Sequence, residues 1–215
     1  MIKSARLWLI NLANMGCIVN IHNATEKYLN LSGKDLMCLK GPRSNVVARY
    51  KGKTGNPILH ISAHIDTAAI QKEGWTVNPL GGQVTKDNPY GKSPYDRGGG
   101  FIWGRGANDD KGECVAMTYA LEALNALGVK LKGDLILTGN CDEEIGGVAG
   151  LGYLIKEGIV KADYGIQLDG GLTNRPSSSR ENSLHDPYFR KVLARSNPNI
   201  GYKRYRKDVK DQRIT

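Results

Sequence analysis

Near the N-terminus Leu7, Trp8, Leu9 and Ile10 follow Lys3 and Arg6, an order shared by secretory leaders and amphipathic helices. Asn11 and Asn14 interrupt the apolar run and no small-residue cleavage site follows, so the pattern predicts an amphipathic first helix. A second helix is predicted over Asn23 to Leu31, ended by Gly33. The period then changes. Asn45 to Tyr50 (NVVARY) and Ile58 to Ile65 (ILHISAHI) are rich in β-branched residues and are parted by Gly52, Gly55 and Pro57, which predicts two strands. Residues 74–100 are dense in Gly and Pro and show little periodicity, as in a long functional loop or a loop with short edge strands. From Lys111 to Leu127 the apolar residues Met117, Leu121 and Leu124 recur at spacings of four and three, which predicts a helix with one buried face, stopped at Gly128. A strand at Asp134 to Thr138, a helix from Val148 to Glu157 and a strand at Tyr164 to Leu168 follow. Strands alternating with helices predict an α/β fold, a three-layer sandwich around a mostly parallel sheet, because parallel neighbours need crossover connections.

Composition adds limits. A chain of 215 residues with 40% apolar and 24% charged residues can bury a sizeable core, and its apolar runs are too short to span a bilayer. The formal charge of +9 is unevenly placed: residues 172–215 hold 11 basic and 4 acidic side chains, so residues 1–171 are nearly neutral. The division expected is a folded unit over 1–171 and a basic, flexible tail over 172–215. That tail lacks the aromatic or Gly-rich pattern of a nucleic-acid binder, so nucleic acid is not an expected partner. Cys17, Cys38, Cys114 and Cys141 are far apart with no CxxC pair, which points to reduced, buried thiols in a cytoplasmic protein.

Candidate chemistry gathers after the predicted strands, where ligands of such sheets bind. His64 and Asp66 follow the second strand, Asp109 and Asp110 the short FIW stretch, Asp142, Glu143 and Glu144 the next, and Asp169 the last. Like charges at one sheet edge repel unless a cation neutralises them, and no cluster of Lys or Arg is interleaved among these. One or two divalent metals would neutralise them, and one His with several carboxylates suits zinc, manganese or cobalt. His64 and Asp66 share a strand face, so Asp66 can accept the second ring N–H of a metal-bound His64; a core His beside a chance acid is the alternative. His60 lies on that face but deeper, as a buried structural residue. GRGANDDKG at Gly104 to Gly112 fails the phosphate-loop spacing and is read as a tight turn delivering Asp109 before a helix that Asp109 or Asp110 caps. In CDEEIGG at Cys141 to Gly147, adjacent glutamates can divide the work, one binding metal and one holding a proton, as metal-assisted hydrolysis requires.

The set HID at His64, WTVNP at Trp75, GRGANDDKG, DEEIGG and ADYGIQLD resembles the co-catalytic zinc metallopeptidases that include acetylornithine deacetylase, succinyl-diaminopimelate desuccinylase, aminoacylase and carboxypeptidase G. The resemblance covers roughly residues 40–171. It implies a two-metal site, zinc before cobalt or manganese, that hydrolyses an amide bond of a small peptide or N-acyl-amino acid. His64 matches a terminal metal ligand, Asp66 the acid that orients it, Asp109 the bridging ligand, Glu143 the general base, Glu144 a ligand of the other metal and Asp169 the remaining acidic ligand. Asp at position 169, where many acylase-type members carry Glu, leans towards a di- or tripeptidase.

Family members insert a lid domain after the Asp169 position, used for dimerisation and for gripping the substrate carboxylate, and then supply a last histidine ligand. Only 46 residues follow Asp169 here, with nothing resembling the lid, so the catalytic domain is expected to be incomplete and the oligomeric state is left open. His185, in SLHDPYF, is the later histidine, and its flanks do not match the family's final motif. A truncated, catalytically weak or inactive metal-binding remnant is the alternative to an active hydrolase, and a binding module with a basic tail is a third.

Overall fold

The computed structural model describes residues 2–30, 41–71, 73–86 and 100–169. The expectations for the basic tail, His185 and Cys38 lie outside these residues. Helix α1 (Ile2–Asn14) leads into strand β1 (Ile18–Asn23) and the single turn α2 (Glu26–Leu29), followed by β2 (Ser44–Tyr50) and β3 (Gly55–His64). A small hairpin, β4 (Gln83–Thr85) with β5 (Phe101–Trp103), precedes α3 (Lys111–Ala126), β6 (Gly133–Asn140), α4 (Leu151–Lys156) and β7 (Tyr164–Gln167).

The main sheet has the order β1-β2-β6-β3-β7. β6 and β7 run parallel to β3 on either side of it, whereas β2 is antiparallel to both β1 and β6. Four strands therefore point one way and β2 alone is reversed, so the sheet is mixed with mostly parallel strands. That direction matters for the site, because β3, β6 and β7 all end at the same edge.

Each face of the sheet is covered. Trp8 and Leu12 of α1 pack with Cys114, Met117 and Leu121 of α3 against Val46, Ala48, Ala63, Leu135 and Leu137. On the opposite face Tyr28 of α2 and Tyr153 and Leu154 of α4 cover Val47 and Ile136. Alternate residues of β2 and β6 thus serve opposite cores, the period of two expected of a strand buried on both sides. Trp8 closes the first core: its indole N–H donates to Thr118 Oγ1 at 2.6 Å. An added Cβ at Gly139 would sit 2.4 Å from its ring, so glycine there makes room for the indole.

Two expectations need correction. The stretch after α1 forms an edge strand before a helix of one turn, where a longer second helix was expected. Ile18 and Ile21 of β1 are exposed at 67% and 53%, so the strand is held by its ladder to β2 rather than by an apolar face the sequence could display. The FIW stretch is a strand, but it belongs to the separate two-stranded sheet. Asp109 and Asp110 therefore arrive on the turn into α3, not at an end of the main sheet.

Candidate metal centre

Three ends of the main sheet and the start of α3 meet around His64. Its side chain is fully buried, with Nε2 2.8 Å from Asp109 Oδ1 and 3.8 Å from Glu143 Oε2. On the other side of the ring Nδ1 faces the Asp66 carbonyl oxygen at 3.2 Å and Asp66 Oδ1 at 3.4 Å. Both acceptors favour a proton on Nδ1, so Nε2, on the side of Asp109 and Glu143, is the ring nitrogen available to a cation. Burial alone would lower the His64 pKa, but Asp66, Asp110 and Glu143 outweigh it and push it up to about 9.

The two glutamates diverge. Glu144 Oε1 accepts a hydrogen bond from the Ala68 N–H at 2.7 Å, and the Glu144 N–H donates to Asp66 Oδ2 at 3.2 Å. These reciprocal bonds tie the segment after β3 to the segment after β6. Glu143 instead turns towards His64. Burial first, then the charges of Asp169, Asp66 and Glu144, push its carboxyl up to about 7 against the pull of His64.

Two sets of donor atoms lie within 4.8 Å of one another: His64, Asp109 and Glu144, and His64, Glu143 and Asp169. The structure thus brings together all four residues read from the sequence as metal ligands, with His64 common to both sets. It also adds Glu143, read as the base, to the second set. The donor chemistry fits a divalent cation: one imidazole and several carboxylates converge within coordinating reach of one another.

Asp142 stands apart. It adopts a left-handed backbone conformation with φ of 69°, which Asp tolerates, and its Oδ2 accepts from the Ala149 N–H at 2.9 Å. Its Oδ1 pairs with Arg43 Nε at 3.1 Å, so this carboxylate shapes the turn after β6. Buried Asn45 supports the same turn, accepting from the Cys141 N–H at 3.0 Å and donating to Ala149 O at 2.9 Å.

The sequence has no basic cluster among the acids, yet among the described residues Arg43 and Lys111 arrive singly. Arg43 takes Asp142, and Lys111 approaches from the first turn of α3. An added Cβ at Gly106, where φ is +80°, would lie 2.5 Å from both Lys111 Nζ and Thr67 Cγ2. Burial lowers the Lys111 pKa, opposed by Cys114, Asp66 and Asp109. The expected helix cap also differs: Asp110 occupies the N-cap position of α3 but its side chain makes no capping bond. It accepts from the His64 N–H instead, at 2.9 Å. Burial, with the charges of Asp169 and Glu113, pushes Asp110 up to about 7 against the pull of His64.

Residues 60–188 match the family model described as peptidase family M20/M25/M40. The chain belongs to this family. Among curated relatives, pig aminoacylase-1 is 30% identical over 154 residues, which are 68% of this chain and 34% of that protein. An N-formyl-4-amino-5-aminomethyl-2-methylpyrimidine deformylase of Halalkalibacterium halodurans is 34% identical over 105 residues, 47% of this chain and 22% of the relative. This M20 chain spans about a fifth to a third of the length of these relatives. Human carnosine dipeptidase 1 aligns with a TM-score of 0.56 at 20% identity, covering 78% of this chain and 32% of that one. The M20 metallo-carboxypeptidase Sso-CP2 of Sulfolobus solfataricus aligns with a TM-score of 0.56 at 21% identity, over 79% and 32% of the two chains. The fold is therefore the catalytic-domain fold of M20 metallopeptidases. No helix among the described residues is long and apolar enough to cross a membrane.

Proposed function

We propose that this chain carries the metal-binding half-site machinery of a hydrolase that cleaves amide bonds in small peptides or N-acyl-amino acids. The observation that carries this reading is the meeting of His64, Asp109, Glu143, Glu144 and Asp169 at one sheet edge, with donor atoms within 4.8 Å in each of two sets. The similarity to aminoacylases and peptidases supplies the substrate class.

His64, Asp109, Glu144 and Asp169 would hold divalent ions, zinc before cobalt or manganese. Such ions supply Lewis-acid activation of a water and of the scissile carbonyl. The chain's own residues do the rest. Asp66 keeps the His64 proton on Nδ1, so that Nε2 stays free for coordination. Glu143 takes the proton of the attacking water on its carboxylate and returns it to the leaving amine. Its carboxylate lies 3.8 Å from His64 Nε2, close enough to the donor atoms to reach a water activated there. The Ala68 amide holds one oxygen of Glu144 and thereby directs the carboxylate.

The test separates the glutamates. Glu143→Ala is expected to leave bound metal nearly unchanged and to lower kcat by on the order of 10² to 10⁴, whereas Glu144→Ala loses metal. Equal loss of metal in both variants would refute the division of roles. A second reading, a metal-binding remnant with little turnover, is favoured by the cluster's single imidazole among the described residues. Turnover of dipeptides or acyl-amino acids above ~1 per second with added zinc or cobalt would exclude it.

A further inference from the structure

Asp110 is only 1% exposed and has no part in the hydrolysis proposed above. Its position follows from how β3 ends. The last pair between β3 and β7 is Ser62 with Gln167, and beyond it the Leu168 N–H reaches Ser62 O at 2.7 Å. On the other side, the Ile65 N–H donates to Asn140 O at 2.7 Å. The odd-numbered peptide groups of β3 therefore face β6, and the even-numbered ones face β7. His64 turns its N–H and C=O to the β7 side at a level the ladder does not reach. A buried amide there needs a partner from outside the sheet.

The start of α3 supplies it. Asp110 Oδ2 accepts the His64 N–H at 2.9 Å, and the Cys114 thiol lies 3.6 Å from His64 O as its donor. Asp109, the residue before Asp110, is the one whose Oδ1 lies 2.8 Å from His64 Nε2. Main chain and side chain of His64 are thus both gripped by one dipeptide. With no capping bond to α3, the Asp110 carboxylate is not serving the helix.

We propose that Asp110 is a positioning residue for the metal centre: its bond to the His64 amide sets the strand end against the helix start, so that Nε2 and the Asp109 carboxylate face a common ion. This role rests on the reading of the cluster as a metal site.

The experiment is a cobalt(II) titration of the full 215-residue chain, followed by visible absorption, for wild type, Asp110→Asn and Asp110→Ala. Asparagine keeps a carbonyl oxygen for the His64 N–H and alanine does not. Asp110→Asn should bind within about threefold of wild type with the same cobalt spectrum, and Asp110→Ala should bind about tenfold or more weakly, the scale for losing a residue that orients a ligand. Alanine binding within threefold of wild type overturns the proposal. So does an asparagine variant as weak as alanine, because charge rather than the bond would then be responsible. If Asp110→Ala does not fold, Asp110→Asn decides alone: near-native affinity supports the role and a tenfold loss overturns it. A wild-type chain that binds no cobalt refutes the metal reading and this role with it, whereas tight binding equal in all variants refutes only the role of Asp110.

Discussion

His60 and His64 share strand β3 and the same face of the sheet, four residues apart, yet they sit in opposite environments. His60 is surrounded by the sheet: its Nε2 lies 2.9 Å from Thr138 Oγ1, and burial, with the positive charge of Arg49, lowers its pKa to about 4. His64 stands where β3 runs out and meets Asp66, Asp109 and Glu143, and there Asp66, Asp110 and Glu143 outweigh burial and push its pKa up to about 9. Neither lies open to solvent. What separates a structural histidine from a candidate ligand is its place along the strand, since the end of a parallel strand meets the loops that carry acids.

The sharpest way to break this comparison is to remove each ring in turn. His64→Ala should weaken zinc binding by well over the ~10 to 100-fold that follows loss of a residue merely orienting a ligand. His60→Ala should leave zinc affinity within about threefold, and isothermal titration of both variants would read the difference. Parallel losses would mean that depth along β3 does not matter.

The next effect is a pH dependence specific to His60. Its folded pKa of about 4 lies below the unfolded value near 6.5, so the folded state favours the neutral ring. Stability from this site is complete above about pH 6.5 and is lost as pH falls towards 4, by up to roughly 3 kcal/mol. His60→Gln should flatten that acid limb in denaturant titrations of the metal-free chain. An unchanged acid limb would show that His60 is not buried as a neutral ring.

Much of the site was legible because its residues fall in short runs after strands: His64 with Asp66, Asp109 in GRGANDDKG, and the paired glutamates. Strand β1 was hidden because Ile18 and Ile21 face solvent and its polar residues break the alternation. The supports were hidden for another reason. Asp110 reaches a main-chain amide 46 residues away, Arg43 a carboxylate 99 residues away, and Asn45 an amide 96 residues away. Nothing local marks such pairs, since one partner is often plain backbone.

Smaller effects sharpen the contrast further. Asp66→Asn should lower zinc affinity by about 10 to 100-fold, through loss of the carboxylate facing Nδ1. Competition with a chromophoric chelator would measure it, and unchanged affinity would leave the His64 tautomer to the Asp66 carbonyl alone. Thr138→Val, which strips His60 of its hydroxyl partner, should cost about 1 to 3 kcal/mol in chemical denaturation without touching metal affinity.

The most direct measurement is anomalous diffraction at the zinc edge from crystals of the chain grown with zinc. Ions are expected at His64 Nε2 with Asp109, and at Glu144 and Asp169, with none at His60. Well-ordered crystals in saturating zinc that show no ion at His64, or an ion there that avoids Asp109, would contradict this.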